Sequence, residues 1–480
     1  MPRKKKMKIL NAVSEVVPFL ATGGMGQVAG ALSSVLAVND KSLDVRVVAP
    51  LYAAFRDKYE PQMKFLGATE VTLAWRTLYC GIFELSHEGV TYYFVDNKHY
   101  FDREGAYGHV DDGERFAFFC KAVFAAIEIS KYMPDVIHAH DWQSALVPIY
   151  LKTHFAEKYG SIRTVFTIHN MEYQGQMPAH ILHDIFDLSD EDKNIVWYNE
   201  CINLMKGAIV CTDKLTTVSP SYAEEIQVNG GYGLEPIIRE NAYKLRGIIN
   251  GIDTDTYNPA TDHLLGKNTY TSENLKGKVA SKKKLQSFFN LPKSPKTMLI
   301  CIISRLVSHK GIDLITFMLD DLLKMDVQFL LLGTGEHAYE LFFEERAVDN
   351  PDKVAVSIAF NPEIAGMIYA GADVLLMPSR SEPCGLAQMI ACRYGTIPII
   401  RRTGGLGDTI RDCRLGDGNG FVFDDYSATA LMETIESALD LYTNHQADWT
   451  NLVKAAMNVD FSWDLSAREY SNLYRELENK

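Results

Sequence analysis

The sequence predicts an α/β protein of two domains, each built on a doubly wound parallel β-sheet. Two observations predict this fold. Short apolar runs alternate with amphipathic stretches along the whole chain, which is the pattern of β-α-β units. The runs also fall into two sets of similar size, one in each half of the chain, so each half carries enough strands for a sheet of its own.

The strand candidates are the short apolar runs of each half, taken in chain order. In the first half they span residues 8–13, 45–48, 90–95, 136–139, 164–168, 215–218 and 245–249. In the second half they span residues 298–304, 327–332, 354–358, 374–378, 396–401 and 420–423.

The boundary between the predicted domains lies near residue 250. Residues 250–296 are rich in Asn, Thr, Lys and Gly and contain three prolines, which is the composition of a connection. Near the end of the chain, apolar residues recur at Leu465, Tyr470, Leu473 and Leu477 and predict a helix packed by one face. We therefore expect a first domain over residues 1–250, a second over 251–460 and a helical segment over 461–480.

The composition excludes several classes of protein. A formal net charge of −13 argues against nucleic acid as a main partner, because binding of nucleic acid depends on clustered cations. No stretch approaches the roughly 18 uninterrupted apolar residues of a membrane span. The eight cysteines show no metal-binding spacing, and the basic run at residues 3–6 lacks the apolar stretch of a signal peptide. We expect a cytoplasmic protein with reduced thiols, in which the basic run is either a solvated tail or a segment upstream of a start at Met7.

A Thr-Gly-Gly tripeptide occurs in each predicted domain, at Thr22-Gly23-Gly24 and at Thr403-Gly404-Gly405. Where such a loop follows a strand and opens a helix, its backbone N–H groups can bind an anion. Taken alone, the tripeptide is more typical of a plain turn. The flanking residues must decide between the two interpretations.

Polar residues follow neighbouring strands of the first half, at the edge where parallel sheets bind ligands. His138-Ala139-His140-Asp141-Trp142 follows one strand, and His169-Asn170 follows the next. The alternating histidines suit half of a metal site, but no second cluster of ligands supports one. A polar network or a sugar-binding rim, with Asp141 accepting hydrogen bonds from hydroxyls, is the favoured interpretation. We expect neither a metal nor a cofactor.

The second half combines two cations with an acidic turn. Arg305 and Lys310 lie five residues apart across a strand-to-helix turn, so both can converge on one anion, although a solvated pair is the alternative. An idle charge after a buried strand would be costly, which favours a function for them. Glu382 to Leu386 predicts a turn into a helix, where Gly385 lets the backbone approach a ligand.

These motifs together resemble the bacterial glycogen synthase and plant starch synthase family, which extends an α-1,4-glucan with glucose from ADP-glucose. The resemblance runs nearly from end to end. It implies a GT-B fold, with two Rossmann-like domains facing across a cleft and a terminal helix that returns to the first domain. The matching segments include Ser14 to Pro18, Phe101 to Arg103, His138 to Trp142, Thr167 to Asn170, Asn250 to Asp253, Ser304 to Leu306, Pro378 to Asp408 and Asp460 to Trp463.

The resemblance also implies roles for particular residues. Arg305 and Lys310 would neutralise the diphosphate leaving group. Glu382 would hold the donor glucose, and His169 would contact that glucose near its anomeric carbon. The donor-binding backbone would include Gly24, Cys384, Gly385, Leu386, Thr403, Gly404 and Gly405. The acceptor or sugar pocket would be lined by Asp141, Trp142, Asn170 and Tyr173.

The reaction that the resemblance implies is transfer of glucose to the non-reducing end of the glucan with retention of configuration. The first Gly loop departs from the family pattern, because Ala21 and Gln27 stand where Lys and Asp are typical. Loss of one charge-assisted contact to phosphate costs about 1.5–3 kcal/mol. Two alternatives to an active ADP-glucose-dependent synthase therefore stay open: a weakly active or inactive glucan-binding paralogue that partners an active synthase, and an enzyme that uses another donor such as UDP-glucose.

Overall fold

The computed structural model describes residues 6–478, which divide into two compact units. Unit 1 comprises the residues up to Asn250 together with the terminal helix that begins at Trp463. Unit 2 comprises Gly251–Ser462. The basic run at residues 3–6, predicted as a solvated tail, lies outside the described residues except for Lys6.

Unit 1 alternates strands with helices, as the pattern of apolar runs predicts. Its strands are β1 (Met7–Ala12), β2 (Leu43–Pro50), β3 (Lys64–Leu73), β4 (Arg76–His87), β5 (Val90–Asp96), β6 (Val136–His140), β7 (Arg163–Ile168), β8 (Gln176–Met177), β9 (Trp197–Tyr198), β10 (Cys201–Asn203), β11 (Lys214–Thr217) and β12 (Leu245–Gly247). Its helices before residue 250 are α1 (Gly24–Asn39), α2 (Ala53–Tyr59), α3 (Lys98–Phe101), α4 (Asp112–Ser130), α5 (Leu146–Thr153), α6 (Ala156–Tyr159), α7 (Ile181–Asp184), α8 (Lys193–Val196), α9 (Leu204–Cys211), α10 (Pro220–Val228) and α11 (Glu235–Glu240).

The main sheet of unit 1 has nine strands in the order β12-β11-β7-β6-β1-β2-β5-β4-β3. The strands from β12 to β5 pair in parallel, and every predicted strand of the first half is among them. Along the chain, β2 to β5 are added on one side of β1, and β6, β7, β11 and β12 are then added on its other side. This reversal makes the pair β1 and β6 the switch point where doubly wound sheets bind ligands.

The antiparallel hairpin β3–β4, which extends the sheet beyond β5, was not predicted. The reason lies in β3, most of whose side chains are exposed or half-buried, so the strand lacks the apolar run by which the others were found. A separate small sheet, β8-β10-β9, was missed because its strands have only two or three residues.

Unit 2 is a six-stranded sheet in the order β15-β14-β13-β16-β17-β18, parallel throughout. This is the strand order of a Rossmann fold, with its switch point between β13 and β16. The strands are β13 (Met298–Ile303), β14 (Val327–Leu332), β15 (Val354–Ser357), β16 (Val374–Met377), β17 (Ile397–Arg401) and β18 (Phe421–Phe423). The helices are α12 (Lys276–Phe288), α13 (Ile312–Leu322), α14 (His337–Asp349), α15 (Pro362–Gly371), α16 (Ala387–Arg393), α17 (Gly404–Thr409), α18 (Ala428–Asn444) and α19 (Gln446–Met457).

The terminal helix α20 (Trp463–Glu478) packs on unit 1 and shares a core cluster with α1 and β1. Its buried face contains Trp463, Tyr470, Leu473 and Leu477. Leu465, predicted to lie on this face, is 61% exposed, so that prediction was wrong. The true stripe begins at Trp463 and recurs every three or four residues, and a residue two positions after Trp463 falls on the opposite side of the helix.

A hydrogen bond ties α20 to the sheet beneath the switch point of unit 1. The Tyr474 hydroxyl lies 2.8 Å from Nδ1 of His138, the third residue of β6. Nε2 of the same imidazole lies 2.6 Å from the Thr167 hydroxyl on β7. Both ring nitrogens of the buried His138 are therefore paired, and the terminal helix is fixed to β6.

All eight cysteines are free thiols, as predicted. Within residues 6–478 no helix has the length and apolar character needed to cross a lipid bilayer.

Candidate active site

The predicted site residues of unit 2 follow strands that are neighbours in its sheet. Arg305 and Lys310 come after β13, Glu382 comes after β16, and Thr403 comes after β17. Because β13 and β16 flank the switch point, their carboxyl ends open onto the crevice where such sheets bind ligands. The strand order therefore brings these residues to one edge.

Glu382 is held by two side chains through one of its carboxylate oxygens. Lys310 Nζ lies 2.6 Å from Oε2, and the Ser379 hydroxyl donates to the same oxygen at 3.1 Å. Glu382 is only 6% exposed, so its charge needs this compensation. Oε1 makes no hydrogen bond within residues 6–478 and is left to accept one from a ligand. Sequence reasoning missed Ser379, which carries no signal beyond its place after β16.

Arg305 differs from Lys310 in its surroundings. It is exposed, and its guanidinium makes no ion pair or side-chain hydrogen bond with the part of the chain that the structure describes. The expected cost of an idle charge after a buried strand does not apply to Arg305, because this side chain reaches solvent. Since Glu382 neutralises Lys310, Arg305 is the cation of this pair whose charge is left uncompensated.

The turn after Glu382 presents backbone donors. The N–H groups of Gly385, Leu386 and Ala387 have no acceptor within residues 6–478, and they lie where α16 begins. Unpaired N–H groups at a helix start carry partial positive charge and suit an anion.

Gln388 holds this turn in place, and sequence reasoning missed it. Its Nε2 donates to the carbonyls of Cys384 and Gly385, both at 3.0 Å, and to the Thr409 hydroxyl at 3.1 Å. Gly385 has φ +73°, and a Cβ there would lie 2.5 Å from Oε1 of Gln388. Contacts within the protein thus require a residue without a side chain at position 385. The sequence had indicated a different reason for the glycine, which was room for a ligand to approach the backbone. The sequence signal that could have indicated Gln388 is its position in the first turn of α16, just after Gly385.

The second Thr-Gly-Gly loop packs directly on the Glu382 turn. Gly404 has φ +43°, and a Cβ there would lie 2.1 Å from the Glu382 carbonyl oxygen. The N–H of Gly405 donates to that carbonyl and to the carbonyl of Pro383, each at 3.2 Å. The Gly405 N–H is thus already paired within the protein. The glycines of the second loop let its backbone pack against the backbone of Glu382 and hold that residue in place.

The first Thr-Gly-Gly loop is organised by a buried carboxylate that sequence reasoning did not single out. Glu15 Oε2 accepts hydrogen bonds from the Thr22 N–H and hydroxyl, both at 2.7 Å, and Oε1 accepts one from the Gly26 N–H at 3.1 Å. Burial raises the pKa of Glu15. The N–H groups of Gly24 and Met25 have no acceptor within residues 6–478, and no atom would lie within 4 Å of a Cβ at Gly24. The loop is thus open to a ligand at Gly24.

A cluster of imidazoles and a carboxylate lies at the carboxyl ends of β6 and β7. Nδ1 of His140 lies 3.0 Å from Nε2 of His169. The backbone N–H of His169 donates to Asp141 Oδ1 at 2.7 Å. The rings of His138 and His140 are stacked with centroids 4.1 Å apart, as expected for alternate residues of one strand. Within residues 6–478 no group of three or more His, Cys, Asp or Glu side chains has an arrangement that could hold a metal ion.

Burial sets the ionisation of this cluster. It lowers the pKa of His138 and of His169 to about 3, and it lowers that of His140 as well. It raises the pKa of Asp141 to about 7. The imidazoles are therefore neutral at neutral pH, and the raised pKa of Asp141 brings the titration of its carboxyl into the neutral range.

The other residues predicted for the sugar pocket have unequal exposure. Trp142 packs edge-on against the Phe116 ring, with centroids 5.3 Å apart. The Asn170 side chain accepts a hydrogen bond from the Glu172 N–H at 2.9 Å. Tyr173 is 49% exposed and offers the largest free surface of the three. Trp142 and Asn170 therefore have structural contacts that a bound sugar would have to share.

Comparisons with known proteins identify the family. Residues 8–240 match the family model described as the starch synthase catalytic domain, and residues 283–455 match the model of glycosyl transferases group 1. The glycogen synthase of Bacillus cereus is 44% identical over 98% of this chain and 100% of its own length. That of Ligilactobacillus salivarius is 45% identical over the same shares. The chain belongs to the glycogen synthase and starch synthase family.

Two solved structures share the fold of this chain. The catalytic domain of starch synthase IV from Arabidopsis thaliana, bound to ADP and acarbose, matches with a TM-score of 0.91 at 32% identity, over 99% of this chain and 100% of that one. Sucrose-phosphate synthase from Thermosynechococcus elongatus matches with a TM-score of 0.62 at 17% identity, over 99% of this chain and 100% of its own, and shares the fold. The synthase therefore has the predicted GT-B fold with two Rossmann-like domains. It is a glycosyltransferase of glycogen or starch synthesis, and no comparison favours the inactive alternative.

An exposed aromatic side chain at the site edge of the synthase also escaped the sequence analysis. Phe360 follows β15, at the same carboxyl edge of the unit 2 sheet as Arg305, and is 86% exposed. An uncovered ring can stack on a planar ligand group. The signal that could have found it is an aromatic residue placed just after a strand of a ligand-binding sheet.

The packing of the second Gly loop predicts that Gly404→Ala destabilises the synthase by about 2–4 kcal/mol, because the new Cβ would meet the Glu382 carbonyl in a strained backbone conformation. Gly23→Ala in the first loop is the matched control, since a Cβ there has no atom within 4 Å. We expect its stability to stay within about 0.5 kcal/mol of the wild type. Urea unfolding of both variants measures this, and equal losses would contradict the packing argument.

The buried imidazoles predict a loss of stability at acid pH. An unfolded histidine titrates near its usual value of 6.5, whereas the folded His169 titrates near 3. The unfolded state therefore binds more protons than the folded state below pH 6.5. The contribution of His169 to the free energy of unfolding is complete above pH 6.5 and is lost as the pH falls toward 3. Asp141 acts in the opposite direction, because its folded pKa is raised and the folded state takes up its proton first.

The measurement is the free energy of unfolding of wild type and His169→Gln between pH 6 and 4. We expect the variant to lose less stability on acidification, by about 1.4 kcal/mol per pH unit, which is the contribution of one titrating group. Replacing the exposed His180 by Gln is the control and should leave the slope unchanged. Parallel curves for wild type and His169→Gln would refute the assignment.

Proposed function

We propose that this synthase transfers glucose from ADP-glucose to the non-reducing end of an α-1,4-glucan with retention of configuration. The observation that carries the proposal is the set of polar groups at this edge of the unit 2 sheet that have no partner within residues 6–478. They are the Arg305 guanidinium, Glu382 Oε1 and the N–H groups of Gly385 and Leu386. A cation and N–H groups match a diphosphate, and a carboxylate oxygen matches a sugar hydroxyl.

In this proposal unit 2 binds the donor. Arg305, Lys310 and the N–H groups of Gly385 and Leu386 stabilise the negative charge that develops on the departing ADP. Lys310 and the N–H groups act without reorganisation, because Lys310 is fixed by Glu382 and the turn is fixed by Gln388, whereas Arg305 reaches the diphosphate from solvent. Glu382 holds the donor glucose through Oε1. Cys384, Thr403, Gly404 and Gly405 support the donor by shaping this turn.

Unit 1 carries the acceptor side of the proposal. Gly24 contributes an N–H group to the donor, and His169 contacts the reacting glucose. Asp141, Trp142, Asn170 and Tyr173 line the sugar pocket, with Tyr173 offering an exposed ring for stacking on the glucan. Attack on the face from which ADP departs, assisted by the leaving phosphate, needs no nucleophile from the protein, and none is assigned.

Two comparisons support the choice of substrates. The relative with a TM-score of 0.91 was solved with ADP and acarbose bound. The curated relatives at 43–45% identity are glycogen synthases. These findings favour ADP-glucose as donor over UDP-glucose and a glucan as acceptor.

The test is incorporation of labelled glucose from ADP-glucose into glycogen, followed by digestion with β-amylase. We expect ADP-glucose to be used at least 10-fold better than UDP-glucose, and β-amylase to release the label as maltose, because that enzyme removes α-1,4-linked units from non-reducing ends. No incorporation at high enzyme concentration would refute the proposal.

The double variant Ala21→Lys/Gln27→Asp tests the inactive alternative, which predicts that the variant far exceeds the wild type in activity.

Lys310→Met should lower kcat by roughly 10- to 100-fold, because it removes a cation from the leaving group and leaves Glu382 without its ion pair. The matched control is Lys324→Met, which removes a Lys–Asp ion pair of the same 2.6 Å length from the exposed surface of unit 2. Its activity should match the wild type. Equal rates of glucosyl transfer by the two variants would contradict the role of Lys310.

A further inference from the structure

His140 occupies a place that the proposed reaction has not used. It is the last residue of β6, is 1% exposed, and directs Nδ1 at Nε2 of His169, 3.0 Å away. β6 and β7 are parallel neighbours, and His169 directly follows β7. The contact is therefore set by the pairing of two central strands, and a rotation of either ring would break it.

The hydrogen bond between the two rings contains a single proton. Burial and the neighbouring imidazoles lower the pKa of His140, and burial lowers that of His169 to about 3. Both rings are neutral at neutral pH, so one nitrogen of the pair donates and the other accepts. The direction of the bond decides whether the other nitrogen of His169, Nδ1, faces a ligand as a donor or as an acceptor.

The surroundings of His140 decide this direction. Its Nε2 is buried and has no hydrogen-bond partner within residues 6–478. If the proton of His140 were on Nε2, an N–H group would be buried without an acceptor, which is rarer in proteins than an unpaired acceptor. If the proton is on Nδ1, it is donated to His169 and only a lone pair at Nε2 is unpaired. The second arrangement is favoured.

The neighbouring contacts hold both rings in this geometry. The His140 ring is stacked on His138, whose two nitrogens are paired with Tyr474 and Thr167. The backbone N–H of His169 is bound by Asp141. Nδ1 of His169 makes no hydrogen bond within residues 6–478, and His169 is the more exposed of the pair at 9%. This nitrogen is therefore the one that a ligand can reach.

We propose that His140 is a positioning residue, whose Nδ1–H holds His169 in the Nδ1-protonated tautomer and so makes His169 a hydrogen-bond donor to a hydroxyl of the reacting glucose. The role toward glucose rests on the proposed function. The tautomer does not, because it follows from the contacts of the two rings. Fixing a histidine through its second nitrogen is a recurring way to set its tautomer and orientation, and for histidines that bind metals the loss of such a partner costs roughly 10- to 100-fold in affinity or activity.

The test compares His140→Asn with His140→Leu. The amide nitrogen of Asn is attached at the same position as Nδ1 of histidine and can donate to His169, whereas Leu has a similar size and no donor. We expect His140→Leu to lower kcat roughly 10- to 100-fold with little change in KM for ADP-glucose, and His140→Asn to stay within about 3-fold of the wild type. Equal losses in the two variants would overturn the proposal.

A second readout is independent of activity. Nitrogen NMR of the full chain with ¹⁵N-labelled histidine, assigned with His169→Gln, distinguishes protonated from unprotonated ring nitrogens. We expect Nδ1 of His169 to be protonated in the wild type and in His140→Asn, and the Nε2-protonated form to appear in His140→Leu. A wild-type His169 protonated on Nε2 would overturn the proposal even if the variants fail to fold. A wild type with the expected tautomer but no glucosyl transfer would refute the proposed function and leave the positioning of His169 in place.

Discussion

The reversal of strand order within each parallel sheet is the constraint on which the site depends. In unit 2 the chain builds β13, β14 and β15 in one direction and then β16, β17 and β18 in the other. The connections on the two sides of the reversal diverge, so the carboxyl ends of β13 and β16 stay uncovered. Lys310 and Glu382 follow those strands and meet there, although 72 positions separate them in sequence. Unit 1 repeats the reversal at β1 and β6, which places the first Gly loop and the His140 segment at one edge.

Close contact between backbone segments then turns these edges into defined sites. In unit 2, Gly404 and Gly405 let their loop lie against the carbonyls of Glu382 and Pro383, at distances that a Cβ would not allow. In unit 1 the loop at Gly24 is held from beneath by Glu15, and space remains above its glycines. The two Thr-Gly-Gly loops look equivalent as sequence, yet one supports a neighbouring turn and the other is open to a ligand. The difference arises because a different segment packs against each of them.

The fold was largely predictable because parallel strands buried on both faces form continuous apolar runs. Every predicted strand is present, whereas the hairpin β3–β4 was missed because its outer strand is exposed and polar. Leu465 was misplaced on α20 because helical spacing does not say which residue begins the buried stripe. In the candidate site, residues proposed to take part in the reaction, such as Lys310, Glu382 and His169, could be named from the sequence because their side chains carry the chemistry. Glu15, Ser379 and Gln388 could not, because they act by binding other parts of the chain.

The sequence by itself determined the parallel strands of both sheets, the family, the reaction class and the residues proposed for glucosyl transfer, because these depend on apolar periodicity and on motifs read within short windows. Only the tertiary structure decided how those residues are held. It paired Lys310 with Glu382, left Arg305 exposed, placed Glu15 beneath the first loop and directed His140 at His169. The physical reason is that hydrogen bonds and burial depend on distances between strands far apart in sequence, and these distances exist only once the sheet has formed.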